Sequence, residues 1–446
     1  LPLHLDGDGL VKYFPVDWLQ GDDTLTAYLL SIADEADYEI PEASRERMLK
    51  GLEDFVTGRI QRYGRVQTAD VVMRKLTAID ALSRYARATP SMLEPLQITP
   101  NLWPSSGVID WVSILTRMQE IPQREEQRTQ ALQILRSRMS FSGTTMRFST
   151  EKQDYLWWLM VSPDLNAVRA LRLLTDDPSF SAADAGRLAR GALARQAEGR
   201  WQTTLANAWG VVALRHFQQR YEKEPVSGST TVALDKLQKS LSWANAKVNQ
   251  SGDPTLGTLL GAGLHAHFSW PTAAAPLALQ HEGGGKPWAF VTSSAALPLK
   301  KPLFAGYSIQ RTVTPVEQKV VGVWQRGDTY RVTLEIDAQA DMTWVVIHDP
   351  APAGASVLGS GLGGDSAQLV SGEKQTGWQR PAFEERAFDG YRAYYAYVPK
   401  GKFNVEYTVR LNNPGLFEMP ATRVEAMYAP EIFGELPVPK MDIKAQ

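Results

Sequence analysis

The 446 residues include 43% hydrophobic and 22% charged side chains, and the formal net charge is -2. This is the composition of a globular chain of two or three domains, with no basic excess to suggest nucleic acid or an anionic membrane as partner. Cysteine is absent, which removes disulfides, Cys-ligated zinc and thiol nucleophiles without fixing the compartment. No apolar run approaches the roughly 18 residues needed to span a bilayer. The chain opens with Leu1 and has no basic-then-apolar leader. It reads as a processed chain or a C-terminal fragment, with any targeting signal or membrane anchor upstream.

Helical periodicity dominates from residue 22 to about 221. Asp22-Asp23-Thr24 is an N-cap cluster, and Leu25, Tyr28, Leu29, Ile32 and Ala36 follow at helical spacing. Pro41-Glu42 opens a second helix carrying Met48, Leu49, Leu52, Phe55 and Val56. A third has Val72, Leu76, Ile79, Leu82 and Ala86 and stops before Pro90. Further helices are expected over 107–119, 124–139, 150–160, 164–175, 181–196 and 200–221. Tyr155 to Val161 is apolar all round, the pattern of a buried helix. The many Trp and Tyr read as core packing.

Near Pro225-Val226-Ser227-Gly228 the apolar period shortens toward two. Strands are expected at 229–234, 264–268 and 288–291, with a turn at 281–286. Beyond Lys300-Lys301-Pro302 come strands at 308–314, 329–336, 343–347, 391–398 and 404–411. Gly327-Asp328, Ala353-Gly354 and Lys400-Gly401 supply turns. Five or more such strands suggest a β-sandwich.

The last stretch, Pro381 to Pro439, resembles the C-terminal domain of bacterial alpha-2-macroglobulins. The matching segments are Glu385-Arg386-Ala387-Phe388-Asp389, Pro399 to Arg410, Asn413 to Pro420 and Glu425 to Gly434. Gly306 to Arg311 and Val346 to Gly354 fit the same domain. Asp23 to Leu30 with Tyr38 to Glu42, and Gly199 to Thr204 with Ala206 to Trp209, resemble helices of the family's thioester domain. The resemblance implies a multidomain α + β chain, a partial α/α-toroid followed by β-sandwich domains. Its divisions would be 1–222 (toroid), 223–303 (second half of a CUB-like β-domain) and 304–446 (macroglobulin-like sandwich). It also implies a periplasmic protein, not an enzyme, that traps proteases or binds envelope proteins. The Cys-X-Glu-Gln thioester motif would lie upstream of residue 1. Leu10 to Pro15 departs from the family's usual segment there. Met160 to Asp164 with Arg195-Gln196 resembles the branch without a thioester. Met427-Tyr428 matches the pair that packs toward the toroid, which implies a lock-like contact between domains.

Other candidate sites are each met by a plainer reading. His265 and His267 share a face but lack further metal ligands, so no metal or other cofactor is expected. Asp22-Asp23, Asp176-Asp177 and Glu384-Glu385 could serve acid-base chemistry on a toroid glycan lyase or hydrolase, the alternative function. The two Asp pairs lie at helix ends, where carboxylates cap free amides. Adjacent acids on a strand point to opposite faces. No G-x-S-x-G elbow occurs. Gly359 to Gly364 lacks the Lys-Ser/Thr of a phosphate loop. Arg326-Gly327-Asp328 falls at a hairpin turn, and Asn249-Gln250-Ser251 is a formal glycosylation sequon.

Overall fold

The computed structural model describes residues 1–62, 69–96, 98–197, 199–245, 264–293, 297, 299–359, 373 and 380–445. Its long helices are α1 (Asp23–Glu35), α2 (Glu42–Val56), α3 (Ala69–Arg84), α4 (Ser105–Arg117), α5 (Arg124–Ser137), α6 (Pro163–Thr175), α7 (Ala182–Leu193) and α8 (Thr204–Tyr221). Two short strands, β1 (Met139–Ser142) and β2 (Thr145–Phe148), interrupt them. Then come β3 (Ser229–Leu234), β4 (Leu237–Ser242) and β5 (Leu277–Glu282). The C-terminal part holds β6 (Leu303–Ala305), β7 (Tyr307–Glu317), β8 (Trp324–Gln325), β9 (Thr329–Ala338), β10 (Met342–Pro350) and β11 (Ser356–Val357). It continues with β12 (Phe383–Ala387), β13 (Gly390–Val398), β14 (Gly401–Arg410), β15 (Gly415–Phe417), β16 (Thr422–Ala426), β17 (Ala429–Leu436) and β18 (Met441–Lys444). The class is mixed α + β.

The chain forms two compact units. One comprises Leu1–Arg138, Thr150–Asn166 and Ala296–Gln446, and the other Met139–Ser149 and Ala167–Ala295. In the first unit α1 packs on α2 and α3, α3 on α4, and α4 on α5. Asp22 caps α1 by accepting from the Leu25 amide at 2.8 Å. On α2, Met48, Leu49, Leu52, Phe55 and Val56 are all buried, as their spacing predicts. On α1 the buried stripe is rotated from the expected one. Thr26, Ala27, Leu30 and Ser31 are covered while Leu29 is exposed. With helices packed on both flanks, small residues are favoured at the contacts and a large residue is left outside.

The same unit holds the sandwich. A six-stranded sheet runs β12-β13-β10-β16-β17-β6 and a four-stranded sheet β11-β14-β9-β7, all antiparallel. Val332, Leu334 and Ile336 on β9, Val345 and Ile347 on β10, and Val405 and Val409 on β14 meet in a dry core. Each alternates with outward residues, as the period of two requires. A small sheet β15-β18-β8 closes the chain, with β18 and β8 parallel.

In the second unit, Thr203 caps α8 by accepting from the Ala206 amide at 3.2 Å. The Asn207 side chain holds both the amide and the carbonyl of Trp201, at 3.0 and 2.7 Å. The Trp201 ring then lies against Gly210, where a Cβ would come within 2.1 Å of it. The spacing of Trp201, Thr203, Asn207 and Gly210 is thus one packing device. The three-stranded sheet β4-β3-β5 is also here.

Several expectations are corrected. Residues 150–160 do not form a helix; only Trp157–Leu159 makes a single 3-10 turn, and Met160 takes a left-handed conformation (φ 58). Nor is the Tyr155 to Val161 run buried all round, since Tyr155 to Trp158 are half-buried. Its side chains go in different directions, as shown below. Residues 264–268 and 288–291 form no strand. The partners of β3 are instead β4 and β5. Residues 360–364 and 249–251 lie outside the described residues.

Candidate functional site

The site is the seat of the sandwich on the helical part of the first unit, and it is built from the loop before α1. Asp6 organises that loop. Its carboxylate accepts the amides of Asp8, Leu10 and Gly21 at 3.0, 2.9 and 2.8 Å and pairs with Arg62 at 2.6 Å. Burial alone would raise its pKa, but these partners outweigh it and hold the carboxyl below the usual range. Val11 then bridges both Leu5 and Asp22, and its amide donates to Thr26 Oγ1 of α1 at 2.8 Å. The loop so fixed presents Tyr13 and Phe14.

Both rings lie on the outer face of the six-stranded sheet. Tyr13 meets Trp344 with centroids 3.7 Å apart. Phe14 stacks on Phe383 at 4.7 Å and leans on Tyr394 at 5.1 Å. Trp344 stands on β10 with a positive φ of 51°, rare for an aromatic residue in a strand. Its carbonyl accepts the Met427 amide at 2.8 Å. Aromatic contacts of this geometry add about 0.5–1.5 kcal/mol each beyond area burial.

Met427 and Tyr428 form the two-residue turn between β16 and β17, where Ala426 pairs with Ala429. Both are half-buried. The Tyr428 ring lies edge-on to Tyr13 at 6.5 Å, and their hydroxyls are within hydrogen-bonding reach. Tyr13 Oη donates to Met160 Sδ at 2.9 Å. Tyr155 Oη donates to the Tyr428 carbonyl at 2.8 Å and approaches Glu431 at 3.2 Å. Trp158 of the same segment turns the other way and donates to Asp70 on α3 at 3.0 Å. A regular helix could not send neighbouring aromatics in these directions, which accounts for the irregular 154–160 segment.

Charge lies beneath the aromatic seat. Asp23 is buried and bonded to both Nε and Nη2 of Arg74 on α3. Asp22 is pushed up to about 6, first by burial and then by the neighbouring Asp23 charge. Burial, assisted by Asp22, pushes Tyr428 up to about 12 and Tyr13 well above the ordinary phenol value.

The other sequence candidates are placed elsewhere. Asp176 accepts from His216 at 2.7 Å and Arg172 at 2.8 Å, beside Gln219, Arg220, Tyr221 and Lys223 in a hollow of about 460 Å³. No serine or threonine lines it. Asp177 accepts the Ser179 amide at 2.9 Å in a turn. Glu384 faces core tyrosines and Glu385 faces Arg392, on opposite sides of β12. His265 and His267 are exposed, with rings 6.3 Å apart. No group of three metal-ligating side chains occurs among the described residues. Asp328 is buried and accepts the amides of Lys319 and Gln325, so the Arg-Gly-Asp tripeptide is a turn anchor. Sequence reasoning named Met427 and Tyr428 but missed Tyr13, Trp344 and Tyr155 as their seat. The departure of Leu10 to Pro15 from the usual pattern was the available signal.

Residues 306–431, the sandwich that carries this turn, match the family model of the bacterial Alpha-2-macroglobulin MG10 domain. The chain is 25% identical over 376 residues to an alpha-2-macroglobulin homolog of Nostoc sp. (strain PCC 7120), covering 81% of this chain and 18% of that protein. Residues 306–431 belong to the bacterial alpha-2-macroglobulin MG10 domain family. The chain's fold is also that of solved macroglobulins. Native alpha-2-macroglobulin from Escherichia coli, spanning domain MG7 to the C-terminus, matches with a TM-score of 0.63 and 16% identity over 100% of this chain and 66% of that one. Salmonella alpha-2-macroglobulin reacted with methylamine gives a TM-score of 0.62 and 18% identity over 99% of this chain and 27% of that one. The chain spans about a fifth of its Nostoc relative's length.

Proposed function

We propose that this chain is the C-terminal part of a periplasmic macroglobulin that traps proteases or binds envelope proteins non-covalently. In this reading the divisions are residues 1–222, 223–303 and 304–446, and the Met427-Tyr428 turn is a latch holding the last sandwich on the helical part. The chain would act mechanically and not as an enzyme. A protease cuts an upstream segment, the sandwich shifts on its aromatic seat, and the domains close.

The non-covalent reading is carried by the departure of Leu10 to Pro15 from the family's usual segment and by the likeness of Met160 to Asp164 with Arg195-Gln196 to the branch without a thioester, and this chain itself has no cysteine. A thioester needs a thiol as acyl carrier, so this chain forms none of its own. Tyr13, Met160 and Tyr155 fill the space against Tyr428. The Salmonella relative, by contrast, has been reacted with methylamine.

Incubation with trypsin, followed by sizing under native and denaturing conditions, tests the proposal. A non-covalent trap co-migrates with the protease only under native conditions. A complex that survives denaturation overturns the non-covalent mechanism. Failure to co-migrate, with envelope proteins co-purifying instead, replaces trapping by scaffolding. Recovery of the protein in the cytoplasmic fraction refutes the assigned compartment.

A further inference from the structure

We propose that the hollow between the ends of α6 and α8 binds a phosphate monoester group, with Arg220 and Lys223 as its cations. The inference is independent of the protease-trapping reading, and every residue it uses lies in the second unit.

The chain as a whole carries a formal net charge of -2, yet within the second unit Lys and Arg outnumber Asp and Glu. On α8 the basic residues are Arg215, His216 and Arg220, and Lys223 follows just past the last turn. His216 and Arg220 are four residues apart and share a face of the helix. Tyr221 Oη donates to the Thr175 carbonyl at 3.2 Å, which ties the end of α8 to the end of α6. His216 Nε2 donates to Asp176 Oδ1 at 2.7 Å, and Arg172 Nη1 donates to Oδ2 at 2.8 Å. The hollow of about 460 Å³ is lined by Asp176, His216, Gln219, Arg220, Tyr221 and Lys223. That is the volume of a small-molecule site, with room for more than a bare phosphate.

The charges around it do not cancel. Asp176 is the acid in the wall, and both its oxygens are taken. Burial alone would raise its pKa, but the hydrogen bonds from His216 and Arg172 outweigh this and hold it below the usual range. The other acids nearby are turned elsewhere. Glu222 accepts from Trp288 Nε1, Glu224 lies beside Gly284, and Asp177 is buried on the Ser179 amide. Arg172 meets the charge of Asp176. Arg220 and Lys223 enter no ion pair or hydrogen bond among the described residues, and Arg220 rests over the Tyr221 ring at 6.0 Å. The dipole of α8 favours a cation at its C-terminal end. It does not call for two of them on a concave wall from which the acids are turned away. A phosphate monoester carries about -1.5 to -2 at neutral pH, which matches two free cations, where a carboxylate matches one. Its oxygens can accept from a guanidinium fork and an ammonium together. The Gln219 amide supplies a neutral donor and the Tyr221 ring a flank for the rest of the ligand.

Isothermal titration calorimetry of the 446-residue chain with glucose 6-phosphate tests the site. Saturable binding at one site per chain is expected, with no heat from glucose. The double variant Arg220→Gln, Lys223→Gln should weaken it by about tenfold or more, and Lys223→Gln alone by about threefold if the double variant unfolds. Arg215→Gln, an exposed position on the same helix outside the hollow, should bind as the unaltered chain does. Co-sedimentation with phosphatidic acid vesicles against phosphatidylcholine vesicles separates the two sources of the group. Binding to the sugar phosphate assigns a soluble ligand, binding to phosphatidic acid alone assigns a lipid headgroup, and either must be lost in the double variant. No saturable binding in either arm overturns the proposal. So does an equal loss in Arg215→Gln, which would make the site a diffuse basic face.

Discussion

Arg311 and Asp349 join the two sheets of the sandwich through its dry core. Arg311 stands on β7 of the four-stranded sheet and Asp349 on β10 of the six-stranded sheet, and Nε lies 2.9 and 3.1 Å from the two carboxylate oxygens. Tyr407 and Thr422 donate to the same carboxylate, one from each sheet. Asp349 is wholly buried. Asp349→Ala would leave the guanidinium without its counter-charge and should cost about 3–5 kcal/mol. Urea unfolding followed by near-UV circular dichroism measures it. A loss under about 1 kcal/mol would show that water or another acid replaces the carboxylate.

Asp23 and Arg74 form the corresponding pair in the helical part, linking α1 to α3. Asp23→Ala should destabilise the first unit by a similar amount, about 3–5 kcal/mol. The double variant Asp23→Ala, Arg74→Met should recover part of that loss, because the uncompensated charge goes too. A double-mutant cycle with no coupling would contradict the pairing.

The Tyr428 turn makes a separate prediction. Tyr155→Phe removes one hydrogen bond to the turn, which is worth about 0.5–1.5 kcal/mol. Tyr13→Ala removes the ring that bridges Trp344 and Tyr428. Both should speed proteolysis between residues 222 and 306 while the sandwich keeps its own unfolding transition. Met427→Ala distinguishes the roles. Destabilisation of the sandwich by about 2–5 kcal/mol with unchanged proteolysis would make Met427 ordinary core.

His348 predicts a pH effect on the sandwich. It lies on the outer face of the six-stranded sheet in the row Glu385, Arg392, His348, Arg423, Glu435. Burial first, then the adjacent Arg392 charge, lowers its pKa. The fold thus favours the neutral ring. Its contribution is present above about pH 6.5 and is lost as pH falls through the lowered value. His348→Gln should flatten the decline of the sandwich's urea midpoint from pH 7 to 5. An unchanged decline would assign it to other groups.

Gly210→Ala should destabilise the second unit by about 1–3 kcal/mol through overpacking against the Trp201 ring. Thermal unfolding of the variant checks this, and an unchanged midpoint would mean that the indole moves aside freely.

The sequence by itself determined the alternation of the sandwich strands and the cap at Asp22. It also carried the family resemblance of Pro381 to Pro439. These signals are local: a period of two, a short polar side chain before an apolar helix face, a run of residues in fixed order. Tertiary structure alone decided that Tyr155 and Trp158 would face opposite ways, that α1 would bury Thr26 and Ser31 instead of Leu29, and that Trp344 would take a positive φ. Each of these depends on a partner far along the chain. Tyr155 meets Tyr428 across 273 residues and Tyr13 meets Met160 across 147. Burial and hydrogen bonding at such separations outweigh local propensity, because an aromatic hydroxyl taken from water must find its acceptor wherever the fold supplies one.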